Sequence, residues 1–238
     1  MQTQIEKLKE RLKKARSLTV LTGAGVSSES GVPTFRGADG LWRNHDPMEL
    51  ATPEAFEEDP ALVWEWYDWR RSVISKIQPN PAHYAIAELE KRYAEFTLIT
   101  QNVDGLHLLA GSAKTIELHG SIWTLKCVEC GNLSENREVP IKILPRCSCG
   151  GLLRPGVVWF GEALPDGSLF RAFEASSNAE VMLVVGTSGV VQPAASLALR
   201  AKGAGAFVVE INPEETQLSG SLDMRLSGKA GELMPTLL

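Results

Sequence analysis

The apolar run Leu18-Thr-Val-Leu21 leads through Thr22 into Gly23-Ala24-Gly25-Val26-Ser27-Ser28. Four such residues fit a buried strand. Glycines just past a strand free backbone N–H groups that, near a helix N-terminus, can hold a pyrophosphate. As a dinucleotide fingerprint the fragment is incomplete. Ser28 stands where G-x-G-x-x-G has its third glycine, and no acidic residue follows at the end of a second strand, where a dehydrogenase keeps its ribose ligand. On these residues alone a simple tight turn remains open.

Working outward, similar runs occur at 96–100, 115–118, 181–186 and 206–211, with helical patterns at 82–93, 169–178 and 194–201. Residues 2–17 read as an amphipathic helix with Ile5, Leu8, Leu12 and Ala15 on one face, and 223–226 with 230–237 as a last strand and a closing helix. Strands alternating with helices predict an α/β fold whose largely parallel sheet is covered on both faces. Two stretches break the alternation: 39–80, rich in Trp, Pro and acidic residues, and 123–153, which carries every cysteine. The expected organisation is a discontinuous sheet domain (1–38, 94–122 and 154–238). A helical insertion (39–93) and a cysteine-bearing insertion (123–153) would form a smaller module beside it, leaving a cleft between the two.

At 238 residues, with 44% hydrophobic and 22% charged, the chain can bury a sizeable core as a soluble protein. No run approaches the roughly 18 apolar residues of a membrane span. The segment MQTQIEKLKERLKKARS lacks the apolar centre of a secretory leader, so the expected location is the cytoplasm, away from membranes. A net charge of −5 argues against general nucleic-acid affinity, which needs a basic surface.

The four cysteines form two close pairs, Cys127-Val-Glu-Cys130 and Cys147-Ser-Cys149. Each pair can turn two thiolates toward one point, and four thiolates complete a tetrahedral zinc shell. Gly131, Gly150 and Gly151 suit the turns of such knuckles. Buried free thiols or a redox pair are the other readings of this spacing. A zinc ion held by four protein ligands has no open position, so the expected metal, one per chain, is structural rather than catalytic.

Gly23-Ala-Gly-Val-Ser-Ser-Glu-Ser-Gly-Val-Pro-Thr-Phe-Arg36-Gly resembles the cofactor loop of the sirtuins, the NAD-dependent protein deacylases. So do Thr100-Gln-Asn-Val-Asp-Gly-Leu-His107, Glu117-Leu-His119-Gly-Ser, Arg154-Pro-Gly-Val-Val-Trp-Phe-Gly-Glu162, Gly186-Thr-Ser188 and Ile211-Asn-Pro213, in the family's order and over nearly the whole chain. The resemblance implies a Rossmann-like, doubly wound parallel sheet with a smaller inserted zinc-binding and helical module. It also implies NAD as cosubstrate and acylated-lysine proteins or peptides as substrates. In sirtuins the acyl oxygen attacks the ribose carbon as nicotinamide leaves, and the acyl group ends on ADP-ribose.

The residue roles implied by resemblance are these. His119 is the general base, and an unperturbed histidine, titrating near pH ~6.5, is neutral enough to serve. His45, His83 and His107 are its competitors, read as surface, core or structural groups. Asn102 and Asp104 match the nicotinamide-pocket residues, with Gln101 beside them. Gly23, Ala24, Gly25 and Ser27 belong to the phosphate loop, and Phe35 and Arg36 to the segment that closes over the cofactor. Gly186, Thr187, Ser188, Asn212, Pro213 and Glu214 lie past strand ends on the adenosine side, with Ala230 a backbone contact near the adenine. Val157, Val158, Trp159, Phe160, Gly161 and Glu162 belong to the extended stretch that pairs with the substrate peptide.

Tyr67 and Arg70 stand at i and i+3 in an aromatic-rich helical stretch, so they share a face. A guanidinium fork beside a phenol suits a carboxylate, although the spacing equally allows plain inward packing. The pair resembles the sirtuin subclass acting on succinyl- and malonyl-lysine, with Ala51 as the small residue that leaves the pocket room, and activity on acetyl-lysine is expected alongside. Two rival readings share the motifs: protein ADP-ribosyl transfer, and a non-enzymatic zinc and NAD sensor, which would need no base at His119.

Overall fold

Every residue of the strand at 17–22 is buried, as covering on both faces requires. The computed structural model describes residues 2–33 and 45–238. Its strands are β1 (Ser17–Thr22), β2 (Glu95–Thr100), β3 (Thr115–Glu117), β4 (Gly120–Cys127), β5 (Leu133–Glu135), β6 (Leu153–Val157), β7 (Val181–Val185), β8 (Phe207–Asn212) and β9 (Met224–Ser227). The helices are α1 (Gln2–Lys14), α2 (Ala24–Ser28), α3 (Pro47–Leu50), α4 (Pro53–Glu58), α5 (Pro60–Ile74), α6 (Pro81–Arg92), α7 (Leu106–Leu109), α8 (Asp166–Asn178), α9 (Ala194–Gly203) and α10 (Ala230–Leu233).

Six parallel strands run in the order β3-β2-β1-β7-β8-β9. Their registers bring Thr22, Thr100, Val185 and Ile211 level, so the carboxyl ends of the four central strands lie side by side. The chain moves outward from β1 in one direction and returns beside it in the other. The reversal between β1 and β7 is the switch point at which such sheets bind ligands.

Alternate strand residues feed two cores. Leu18, Val20, Val181, Leu183 and Val185 face Ile5, Leu8 and Leu12 of α1, Ala82, Ile86 and Leu89 of α6, and Leu233 of α10. Leu21, Met182 and Val184 face Ala172 of α8 and Leu197, Ala198 and Ala201 of α9. Each fully buried Leu, Ile or Val contributes about 1.5–3 kcal/mol, enough to fix which face every strand residue takes.

A third core belongs to a three-stranded antiparallel sheet, β5-β4-β6, on which α5 lies. Trp64 and Trp66 of α5 are fully buried beside Ile122, Trp123, Val157 and Trp159. α5 starts where the Asp59 side chain accepts the Leu62 N–H and Pro60 needs no donor. α6 departs from the expected 39–93 insertion. Its capping box pairs Asn80 with His83, Pro81 opens it, and its apolar face joins the core of the large sheet. The closing helix expected at 230–237 splits into α10 and a 3-10 turn at Met234–Leu237. Among the described residues no helix is long and apolar enough to cross a membrane.

Candidate active site

The loops after β1 and β7 touch through their backbones. Gly23 N–H donates to the Val185 carbonyl at 3.1 Å and Gly25 N–H to the Gly186 carbonyl at 2.8 Å. A Cβ on Gly23 would stand 2.8 Å from the Thr187 Cβ, and one on Gly25 2.8 Å from the Gly186 oxygen. Both positions must therefore be glycine, and Gly186, at φ +59°, takes the left-handed region glycine favours. The need for glycine at these two positions comes from the neighbouring loop.

Residues past β2 close over this junction. The Asn102 amide donates to the Gly23 carbonyl at 3.0 Å and to Ser27 Oγ at 2.9 Å, and Thr100 Oγ1 accepts the Asn102 N–H. Burial pushes the Asp104 carboxyl up, opposed by hydrogen bonds from the Leu106 N–H and Ser27. Gln101 Nε2 donates to Thr187 Oγ1, and Asn212 Nδ2 to the Thr187 carbonyl, each at 2.9 Å, tying the ends of β2, β7 and β8 together.

His119 Nδ1 lies 3.0 Å from the Gln101 carbonyl. A carbonyl only accepts, so Nδ1 carries the proton and Nε2 keeps its lone pair. Burial pushes the imidazole below its ordinary pKa, against the opposing pull of that carbonyl. Burial thus favours the neutral imidazole at His119. His83 and His107 are buried with ring centroids 4.7 Å apart, and desolvation pushes them down to about 4 and about 3. They support the loops from beneath and do not line the cavity.

The opposite wall comes from the smaller sheet and α5. Tyr67 and Arg70 are 1% and 4% exposed, and both line the cavity. Arg71, next along the helix, points the other way and donates to the carbonyls of Ile122, Asn136 and Glu138. The Phe160 N–H donates to the Ala51 carbonyl at 2.9 Å, joining the α3–α4 connection to the stretch after β6. Val158 N–H donates to the His119 carbonyl and Trp159 N–H to Glu162. These three N–H groups are therefore already engaged, and a peptide strand added along 156–160 must draw on other backbone groups.

One cavity of about 560 Å³ gathers Gly23, Ala24, Gly25, Ser27, Gln101, Asn102, Asp104 and His119 with Gly186, Thr187, Ser188, Asn212 and Glu214. The same cavity reaches Ala51, Tyr67, Arg70 and every residue from Val157 to Glu162. Pro213 does not line it, and Ala230 is buried in the sheet core at the start of α10. Phe35 and Arg36 lie outside the described residues. Val191, Gln192, Glu215 and Thr216 also line the cavity and were not anticipated. They follow β7 and β8 in irregular chain, where no periodicity marks them.

Away from the cavity, the four cysteine sulfurs lie within 4.8 Å of one another, and none is in a disulfide. Cys127–Cys149, Cys149–Cys130 and Cys130–Cys147 are separated by 3.5, 3.6 and 3.8 Å. Zinc–sulfur bonds of about 2.3 Å in a tetrahedron place sulfurs about 3.8 Å apart, so the cluster fits a zinc ion closed by four protein ligands. Gly131 and Gly150, both at positive φ, make the two turns. No cysteine lines the cavity, which makes the metal site structural.

The Sir2 family model matches residues 23–193. The chain is 58% identical over 216 residues to an NAD-dependent protein deacylase of Aquifex aeolicus, covering 90% of each chain. It is 53% identical over 235 residues to NAD-dependent protein deacylase 1 of Archaeoglobus fulgidus, covering 98% of this chain and 96% of that one. A crystallised Sir2 homolog–NAD complex superposes with a TM-score of 0.93 at 53% identity, covering 98% of this chain and 91% of the other. The chain belongs to the Sir2 family.

Proposed function

We propose that this protein is an NAD-dependent protein-lysine deacylase whose acyl pocket takes chains ending in a carboxylate, succinyl and malonyl, as well as acetyl. The observation that carries the reading is a single cavity lined both by the Gly23–Asn102–His119 constellation and by the Tyr67–Arg70 pair. NAD, when bound, would supply an electrophilic ribose carbon for the acyl oxygen and nicotinamide as the leaving group.

The chain's own groups do the rest. The Gly23 and Gly186 loops offer backbone at the switch point, where a pyrophosphate is held. Asn102, itself held by Gly23 and Ser27, orients the nicotinamide end together with Asp104. His119 Nε2 accepts a proton from a ribose hydroxyl, and the Gln101 carbonyl steadies the imidazolium that forms. On the module side, the Arg70 guanidinium and the Tyr67 phenol receive the acyl terminus. The division into a sheet domain and an inserted module is part of the same proposal, with α6 assigned to the sheet. The four-cysteine zinc holds the module's β4–β6 end and touches no substrate.

Mass spectrometry of a reaction with NAD and a succinyl-lysine peptide tests this. Loss of the acyl mass from the peptide, with O-acyl-ADP-ribose formed and the reaction abolished in His119→Ala, is the expected result. ADP-ribose added to a protein, with the acyl-lysine intact, supports the transferase reading instead.

A further inference from the structure

Tyr67 meets one hydrogen-bonding partner among the described residues, and that partner has only a proton to give. Trp159 Nε1–H donates to the Tyr67 hydroxyl at 2.9 Å, and an indole nitrogen never accepts. The phenol oxygen therefore spends a lone pair on the indole, and its own proton must point elsewhere. Burial pushes the phenol up to about 12, so the proton stays on.

Two further neighbours hold the indole. The Arg154 guanidinium lies 3.4 Å above its ring, and the Phe56 ring packs at 5.3 Å. Arg154 is itself anchored by Glu162 at 2.5 and 2.8 Å and by the Val157 carbonyl at 3.0 Å, and Glu162 also accepts the Trp159 N–H. The stretch that frames the substrate thus reaches across the cavity and sets the direction of a hydrogen bond on α5.

We propose that Trp159 is a positioning residue for acyl-chain specificity: by making Tyr67 a one-way donor beside Arg70, it fits the pocket to a chain end that only accepts hydrogen bonds. A carboxylate has that property. The isosteric terminal amide does not, because its NH₂ would face two donors. The inference rests on the carboxylate reading of the pocket given above and deepens it by naming the group that orients the phenol.

The test is steady-state kinetics on the full chain at saturating NAD, with three peptides differing only in the lysine acyl group: succinyl, its terminal amide, and acetyl. The wild type should prefer succinyl to the amide by about 100-fold. Trp159→Phe keeps a ring beneath Arg154 and removes the N–H. It should lower the succinyl-to-acetyl ratio of kcat/KM about tenfold, chiefly through KM. In a Tyr67→Phe background the same change should move that ratio less than about twofold, because the indole acts through the phenol. A ratio taken within one preparation is insensitive to loss of folded enzyme. Should the phenylalanine variant not fold, benzothienylalanine at 159 keeps the bicyclic ring without the N–H and should give the same shift. Equal loss on succinyl and acetyl, or a shift unchanged by Tyr67→Phe, overturns the role of Trp159. A wild type that turns over acetyl but does not distinguish succinyl from its amide overturns the carboxylate reading beneath it.

Discussion

The two walls of the cavity are built on different principles. On the sheet wall, the meeting of the loops after β1 and β7 is made of backbone: Gly23 and Gly25 press against Gly186 and Thr187 so closely that no Cβ fits. The module wall is made of side chains, Tyr67, Arg70 and Trp159, hung on α5 and on the stretch after β6. A wall of backbone fixes a ligand common to every turnover and leaves little room for variation. A wall of side chains can change its preference one substitution at a time. The difference teaches where to look for cofactor chemistry and where for substrate choice.

Breaking the sheet wall should have the larger effect. Gly25→Ala forces the Gly186 oxygen from a 2.8 Å encounter and should lower kcat/KM for NAD by about 100-fold, because small misplacements of a binding loop propagate to the reacting atoms. All acyl peptides should suffer alike in competition assays, and a loss confined to one of them would contradict the division of labour.

Altering the module wall should change preference more than rate. Arg70→Met removes the guanidinium and should lower the succinyl-to-acetyl ratio of kcat/KM about tenfold or more. An unchanged ratio would take Arg70 out of the acyl pocket. Arg71→Met serves as the contrast. That arginine is 0% exposed and binds the carbonyls of Ile122, Asn136 and Glu138, so its loss should show as a lower melting temperature.

The seam between the walls gives the smallest effect, a shift in pH dependence. Burial depresses His119, and in the proposed base role the neutral form acts, so activity should persist below the ordinary pKa of ~6.5 and be lost only as pH falls through the lowered value. The acidic limb of kcat/KM should lie below pH ~6.5. Glu117, pushed up to about 7 by burial and by Asp104, is the group a limb near 7 would report instead.

Much of this contrast was legible in the sequence, unevenly. The parallel strands announce themselves because β1 and β7 are buried on both faces, β7 as an unbroken apolar run and β1 with its apolar residues broken only by Ser17 and threonines. The smaller sheet does not. β5 is exposed throughout, and β6 contains Pro155 and Gly156, so neither shows an alternating pattern. The apolar spacing of α6 says that it packs, not against what, and its partner proved to be the core of the large sheet. The cysteine pairs were readable since metal ligation leaves a spacing. Arg70 and Arg71 have the same chemistry in sequence, and only the helix's orientation separates a pocket residue from a structural one. Gln192 and Thr216 left no trace, because lining residues in irregular chain follow no period.

The central claim meets its most direct test in one measurement: kcat/KM of the zinc-replete protein, with NAD, on matched acetyl-, malonyl- and succinyl-lysine peptides. The account predicts NAD-dependent release of free lysine from all three, lost with His119→Ala. No turnover on any of them would contradict it.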